Sequence, residues 1–169
     1  MIRSRGVVLA SAVLALGLGL ARSAQAAARR ARPSLFATQV VTADIGSLRR
    51  RLEPPVDFSR PLESDTHVPH DGEASSLVLF KGCRANAAGA CRVTAVFTLA
   101  GPGGVVKPRQ RAVLWAGRAP ARGALSIGRR AATFRFAPHD PAGRYRLEAR
   151  VTDAVSGASF SVSTPFHYD

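Results

Sequence analysis

The chain has 169 residues, 24 Lys and Arg against 11 Asp and Glu, a formal net charge of +13, and two cysteines. That length holds one domain with a normal core and an N-terminal extension, and excludes an array of domains. Beyond the first 26 residues the whole positive excess falls in Ser75–Asp169, with fourteen Lys and Arg against four acids, while Ala27–Ala74 balances seven arginines with seven acids.

Residues 1–26 carry the three parts of a secretory signal peptide: Arg3 and Arg5, the apolar run Val7–Leu20, and the A-x-A site Ala24-Gln25-Ala26. The run is 14 residues, short of the roughly 20 that a spanning helix needs. No cysteine near the cleavage point offers a lipid site, and Ser4 separates the two arginines, which removes a twin-arginine reading. The expectation is plain secretion to a periplasm or the medium, with a mature chain from near Ala27 and no membrane span after cleavage.

Residues 27–74 read as an N-terminal extension and connector. Leu35–Ile45 is apolar and β-branched enough for one strand, able to join the edge of this sheet or of another copy's. Ser47–Leu52 fits a single helical turn, stopped by Pro54-Pro55. From there to Ala74, Pro54, Pro55, Pro61 and Pro69 lie among many acids, the composition of an extended, solvated segment that wraps the domain or stays mobile.

From Ser75 the pattern changes to alternation with period two. Expected strands are Leu77–Gly82, a short apolar run; Arg92–Ala100, with Val93, Ala95, Phe97 and Leu99 inward; Arg111–Ala116, carrying Trp115; and Ala132–Ala137, with Phe134 and Phe136 inward. Two more follow. In Arg144–Asp153, Tyr145, Leu147, Ala149 and Val151 share the inner face, and in the last strand Phe160, Val162, Thr164 and Phe166 do. These two form a hairpin turning at Ser156-Gly157, whose paired residue numbers sum to odd values if both apolar faces point inward. Gly- and Pro-rich turns separate the strands, and the spacing predicts an all-β, antiparallel sandwich of about seven strands over residues 75–169.

Cys83 and Cys91 flank a loop of small residues with apolar runs on both sides. In an oxidising compartment such a pair is one disulfide, read here as a staple across the mouth of a hairpin. The chain-entropy gain for so small a ring is roughly 2.5 kcal/mol.

Asp140-Pro141-Ala142-Gly143-Arg144-Tyr145 resembles the approach to the penultimate strand of immunoglobulin-like domains. There a turn with Asp and Gly leads to a tyrosine whose hydroxyl bonds back to the turn, the tyrosine corner. The alternation Tyr145-x-Leu147-x-Ala149-x-Val151-x-Asp153 continues as in bacterial secreted sandwiches of this kind. The resemblance implies an immunoglobulin-like fold for residues 75–169, a structural role for Asp140, Gly143 and Tyr145, and a core role for Trp115. It implies no activity. Leu147 stands where antibody-type domains carry a cysteine, so the inter-sheet disulfide of those domains is absent.

The row Arg144, Arg146 and Arg150 projects from the outer face of its strand, at steps of about 7 Å between alternate residues. Glu148 lies among the arginines, and the hydroxyls of Ser159, Ser161 and Ser163 lie alongside. Guanidinium pairs well with carboxylate and phosphate, so this face suits an anionic polysaccharide or an acidic envelope protein. The plainer reading is a solvated face in an arginine-rich chain, in which Lys81 and Lys107 are the only lysines. Nucleic acid is disfavoured by the scarcity of aromatics for stacking.

His67-x-x-His70-Asp71 is the one dense group of metal-ligand types, with His139-Asp140 as a completing pair. A catalytic zinc needs three rigid protein ligands, and nothing in the sequence fixes His67 and His70. No serine lies in a G-x-S-x-G elbow, and Gly101-Pro102-Gly103-Gly104 lacks the Lys-Ser or Lys-Thr of a phosphate loop. The sequence therefore predicts a non-catalytic exported binding or scaffolding module with no cofactor. A metal-dependent or hydrolytic enzyme using His67, His70 and His139 is the alternative.

Overall fold

A computed structural model describes residues 35–53, 62–104 and 107–169. The expected leader, residues 1–26, lies outside the described residues, as does the stretch holding Pro54, Pro55 and Pro61.

Nine strands among the described residues form two sheets that share one core. In the first sheet β3 (Glu73–Lys81) is central, paired on one side with β1 (Phe36–Thr42) and on the other with β6 (Ser126–Ile127) and β7 (Ala132–Arg135). The second runs in the order β2 (His67–Val68), β9 (Ser159–Tyr168), β8 (Gly143–Asp153), β4 (Ala90–Ala100) and β5 (Gln110–Arg118). Every pairing is antiparallel except β2 with β9, which is parallel. The architecture thus differs from an expectation of about seven antiparallel strands: two strands are only two residues long, and the second sheet is mixed.

The alternation in the sequence becomes the inner face. Val93, Ala95, Phe97 and Leu99 of β4 and Tyr145, Leu147, Ala149 and Val151 of β8 are buried together with Ala74, Val78 and Phe80 of β3. The β8–β9 hairpin keeps one unbroken register from Gly143↔Tyr168 to Thr152↔Ser159, so every pair has an odd sum. In β4–β5, Val93 pairs with Trp115 but Thr94 pairs with Val113, leaving Leu114 as the extra residue of a bulge. Leu114 fills the core. Trp115 lies at its rim, its ring edge-on to Phe80 at 6.1 Å and its outer side covered by the Arg129 guanidinium at 4.7 Å.

Residues 35–53 and 62–74 are woven into the sheets. The run Leu77-Val78-Leu79-Phe80 is buried on both faces of β3, which is what an unbroken apolar strand requires. Its inner residues meet the second sheet. Its outer residues, Leu77 and Leu79, pack with Val40 of β1 and with Leu48 and Leu52 of the helix α1 (Ile45–Arg51) and its C-terminal cap. Asp44 starts this helix, its Oδ1 accepting from the Ser47 amide at 2.8 Å, and Arg49, Arg50 and Arg51 suit the negative end of its dipole. The free edge of β1 is covered where the Asp65 amide donates to the Val41 carbonyl at 2.8 Å and the Val41 amide to Ser64 Oγ at 3.0 Å. This cover blunts an edge open to further pairing.

A polar group bridges the layers. Gln39, on the inner face of β1, donates from Nε2 to the Leu147 carbonyl at 2.7 Å and to Thr164 Oγ1 at 2.8 Å, and its Oε1 accepts from Ser76 Oγ at 3.3 Å.

Cys83 and Cys91 form the expected disulfide, with Cα atoms 6.2 Å apart. Its place differs from a hairpin mouth: β3 belongs to the first sheet and β4 to the second, so the bridge closes the loop by which the chain crosses between layers. Asp153 ties this loop to the β8–β9 turn. Its buried carboxylate accepts from the Arg84 amide at 2.9 Å, the Val155 amide at 3.0 Å and the Ser156 hydroxyl at 2.6 Å.

Candidate functional site

The outer face of the second sheet carries the arginine row. Tyr145, Leu147 and Ala149 point inward, so the intervening Arg144, Arg146, Glu148 and Arg150 are exposed. Register sets their neighbours. Arg150 lies between Val96 and Ser161, Glu148 between Thr98 and Ser163, Arg146 between Ala100 and Pro165, and Arg144 beside His167. Ser159 is the neighbour of Thr152, their hydroxyls 2.9 Å apart. The ion pairs among the described residues engage His67, His70, Lys107, Arg135 and His167 and none of these three arginines.

Arg144 and Arg146 line a surface hollow of about 570 Å³ together with Ala100, Gly101, Ser163 and Pro165. Arg144 and Arg146 thus share the hollow, and Arg150 stands apart from it.

The turn that leads into this strand is tightly built. The Tyr145 hydroxyl donates to the Pro141 carbonyl at 2.9 Å, and its ring meets Phe136 edge-on at 5.0 Å. Gly143 has φ 138°, and a side chain there would also meet Pro102. A Cβ on Gly101 would lie 2.2 Å from the Tyr145 ring, so only glycine lets the ring seat against the β4 end. Asp140 does not touch the tyrosine hydroxyl. Its carboxylate takes Lys107 Nζ and the Ala137 amide, the latter at 2.7 Å, joining the β4–β5 loop to the turn. The Lys107 hydrogen bond holds the Asp140 carboxyl below the usual carboxylate range, against the opposing effect of burial. Burial, followed by the charge of Asp140, pushes the Tyr145 hydroxyl above the usual phenol value.

The histidines fall into two places. His67 is fixed by β2, in register with His167, which corrects the expectation that nothing holds it. His67, His167 and Asp169 present ligand atoms all within 4.8 Å of one another. His70 sits beside them with Nδ1 3.1 Å from the Asp169 carbonyl oxygen and its ring facing Tyr168 at 6.0 Å. His139 is exposed on the β7–β8 turn and does not join this group. The trio His67, His70 and His139 is therefore not assembled. No local pattern points to His167 and Asp169, since what brings them to His67 is a strand pairing across 100 residues of sequence.

No family model matches the chain, and no curated protein does. Among solved structures the chain is similar to a family 123 glycoside hydrolase from Clostridium perfringens at 10% identity and TM-score 0.48, over 80% of this chain and 27% of that one. It is similar to the CARDB domain of a Pyrococcus furiosus protein at 11% identity and TM-score 0.38, over 79% and 90% of the two chains. It is also similar to an immunoglobulin-like protein from Pseudomonas aeruginosa at 14% identity and TM-score 0.36, over 82% and 99%. The chain spans less than a third of the hydrolase.

Proposed function

We propose that this chain is an exported, non-catalytic module of the cell envelope, an immunoglobulin-like sandwich that binds an anionic partner through the outer face of its second sheet. The observation that carries this reading is the pair Arg144 and Arg146 at the rim of one hollow, without a carboxylate partner among the described residues. Two guanidiniums on alternate strand positions match carboxylates or phosphates repeated along a polymer, and Ser163 adds a hydroxyl. An anionic polysaccharide is the first choice of partner and an acidic envelope protein the second. Export is supported by the order of Arg3 and Arg5, Val7–Leu20 and Ala24-Gln25-Ala26 and by the disulfide, a bond that persists in oxidising compartments. Chain recovered from periplasm or medium is expected to begin at Ala27.

The test uses polygalacturonate and heparin as probes, titrated against the purified chain at increasing salt. Binding should weaken steeply with salt, and Arg146→Ala should lower affinity about tenfold to a hundredfold, the worth of one charge-assisted hydrogen bond of about 1.5–3 kcal/mol. Equal binding by an Arg144→Ala/Arg146→Ala double variant would remove the face from consideration.

A further inference from the structure

We infer that His67, His167 and Asp169 form a binding site for a divalent transition-metal ion, of the zinc and copper class, at the edge of the second sheet. The site is built by the backbone. Val68 and Tyr168 are fully buried, and their anchoring turns the residues before them, His67 and His167, to the opposite, exposed side of the sheet. The parallel register places the two histidines directly beside one another, with rings 2° from parallel and centroids 6.1 Å apart. Two backbone bonds lock the pairing, from the His167 amide to the Thr66 carbonyl at 2.8 Å and from the Asp169 amide to the Val68 carbonyl at 3.3 Å.

Asp169 then reaches both imidazoles, Oδ2 lying 2.5 Å from His67 Nε2 and Oδ1 3.5 Å from His167 Nδ1. Zinc bonds of about 2.0–2.2 Å to nitrogen and oxygen put tetrahedral ligand atoms roughly 3.3–3.5 Å apart. The two contacts use different carboxylate oxygens, and one ligand atom from each of the three residues lies within 4.8 Å of the others; the three side chains are about half exposed, so rotation of these free side chains closes the set to that spacing. Two imidazoles and one carboxylate suit zinc or copper, whereas calcium and magnesium take oxygen ligands. Three protein ligands leave at least one coordination position for water or an anion. His70 is a positioning residue here, holding the Asp169 backbone through its Nδ1. An ordinary surface ion pair between histidine and aspartate is the competing account, and it predicts no metal stoichiometry.

The deciding experiment is calorimetric titration of the purified chain with zinc alone and with copper alone. It is repeated on His67→Ala, His167→Ala and Asp169→Asn, with His139→Ala as the control for nonspecific surface histidine, and circular dichroism confirms that each variant is folded. The expected result is one ion per chain, a higher Tm with metal present, an affinity lowered at least tenfold by each ligand variant, and no change in the control. A tenfold loss is the least to expect, since removing even an outer partner of a metal ligand commonly costs that much. Absence of saturable binding of either ion would overturn the assignment. So would stoichiometric binding that survives in a His67→Ala/His167→Ala double variant, or that is lost in His139→Ala. Polysaccharide binding in the presence of a chelator separates failure of this site from failure of the arginine face.

Discussion

Gln39→Leu tests whether the polar bridge between the layers holds the fold together. The native amide makes three hydrogen bonds, to the Leu147 carbonyl, Thr164 Oγ1 and Ser76 Oγ, each worth about 1 kcal/mol net. Leucine has similar volume, so no large cavity opens, and its extra apolar burial returns about 1 kcal/mol. The expected net loss is about 2 kcal/mol, a fall in Tm of roughly 6–8 °C for a domain of this size. Urea unfolding followed by far-ultraviolet circular dichroism should show a lower midpoint with an unchanged m-value. A double-mutant cycle with Thr164→Val isolates the contact across the layers, with an expected coupling of about 0.5–1.5 kcal/mol. Neutral or stabilising behaviour of Gln39→Leu, together with zero coupling, would refute the idea that this group latches the sheets.

Asp153→Ala should cost about 3 kcal/mol in urea unfolding, because it strips three hydrogen bonds and leaves the Arg84 and Val155 amides without that acceptor. The Asp140 carboxyl lies lower when folded than when unfolded. Its contribution is therefore complete above the unfolded value of about 4 and is lost as pH falls through the folded one; Tm measured from pH 5 down to 2 should decline less steeply in Lys107→Met. Tyr145 has the opposite sign of dependence. Its hydroxyl is raised in the folded state, so its contribution is complete below about pH 10 and is lost at higher pH. Tyr145→Phe should be about 1 kcal/mol less stable at pH 7 and should show a shallower alkaline decline than the parent chain.

Local pattern carried much of the fold. β8 and β9 were legible because alternation fixes which side chains turn inward, and adjacency fixes which strands pair. The same signal placed Arg144, Arg146 and Arg150 outside. What it could not supply was register between distant strands. A glutamine in a strand reads as solvent-facing, so Gln39 gave no sign of its bonds to residues more than 100 positions away. His67 looked unsupported because its support is His167. The spacing of Cys83 and Cys91 sets the size of their loop but not which sheets it joins. Leu114 and Trp115 are next to one another, where strict alternation would put one of them outside, and only the bulge brings both against the core.

The burial of β3 on both faces bears on how much of the chain the sandwich needs. Its outer cover, β1 and α1, precedes it in the sequence, so residues 75–169 alone lack the shield over Leu77 and Leu79. A shortened chain beginning at Ser75 would lose that shield and present Leu77-Val78-Leu79-Phe80, an uncharged segment of high β-propensity, to its own copies. Val40, Leu48 and Leu52 thus keep the outer side of the central strand from meeting another copy.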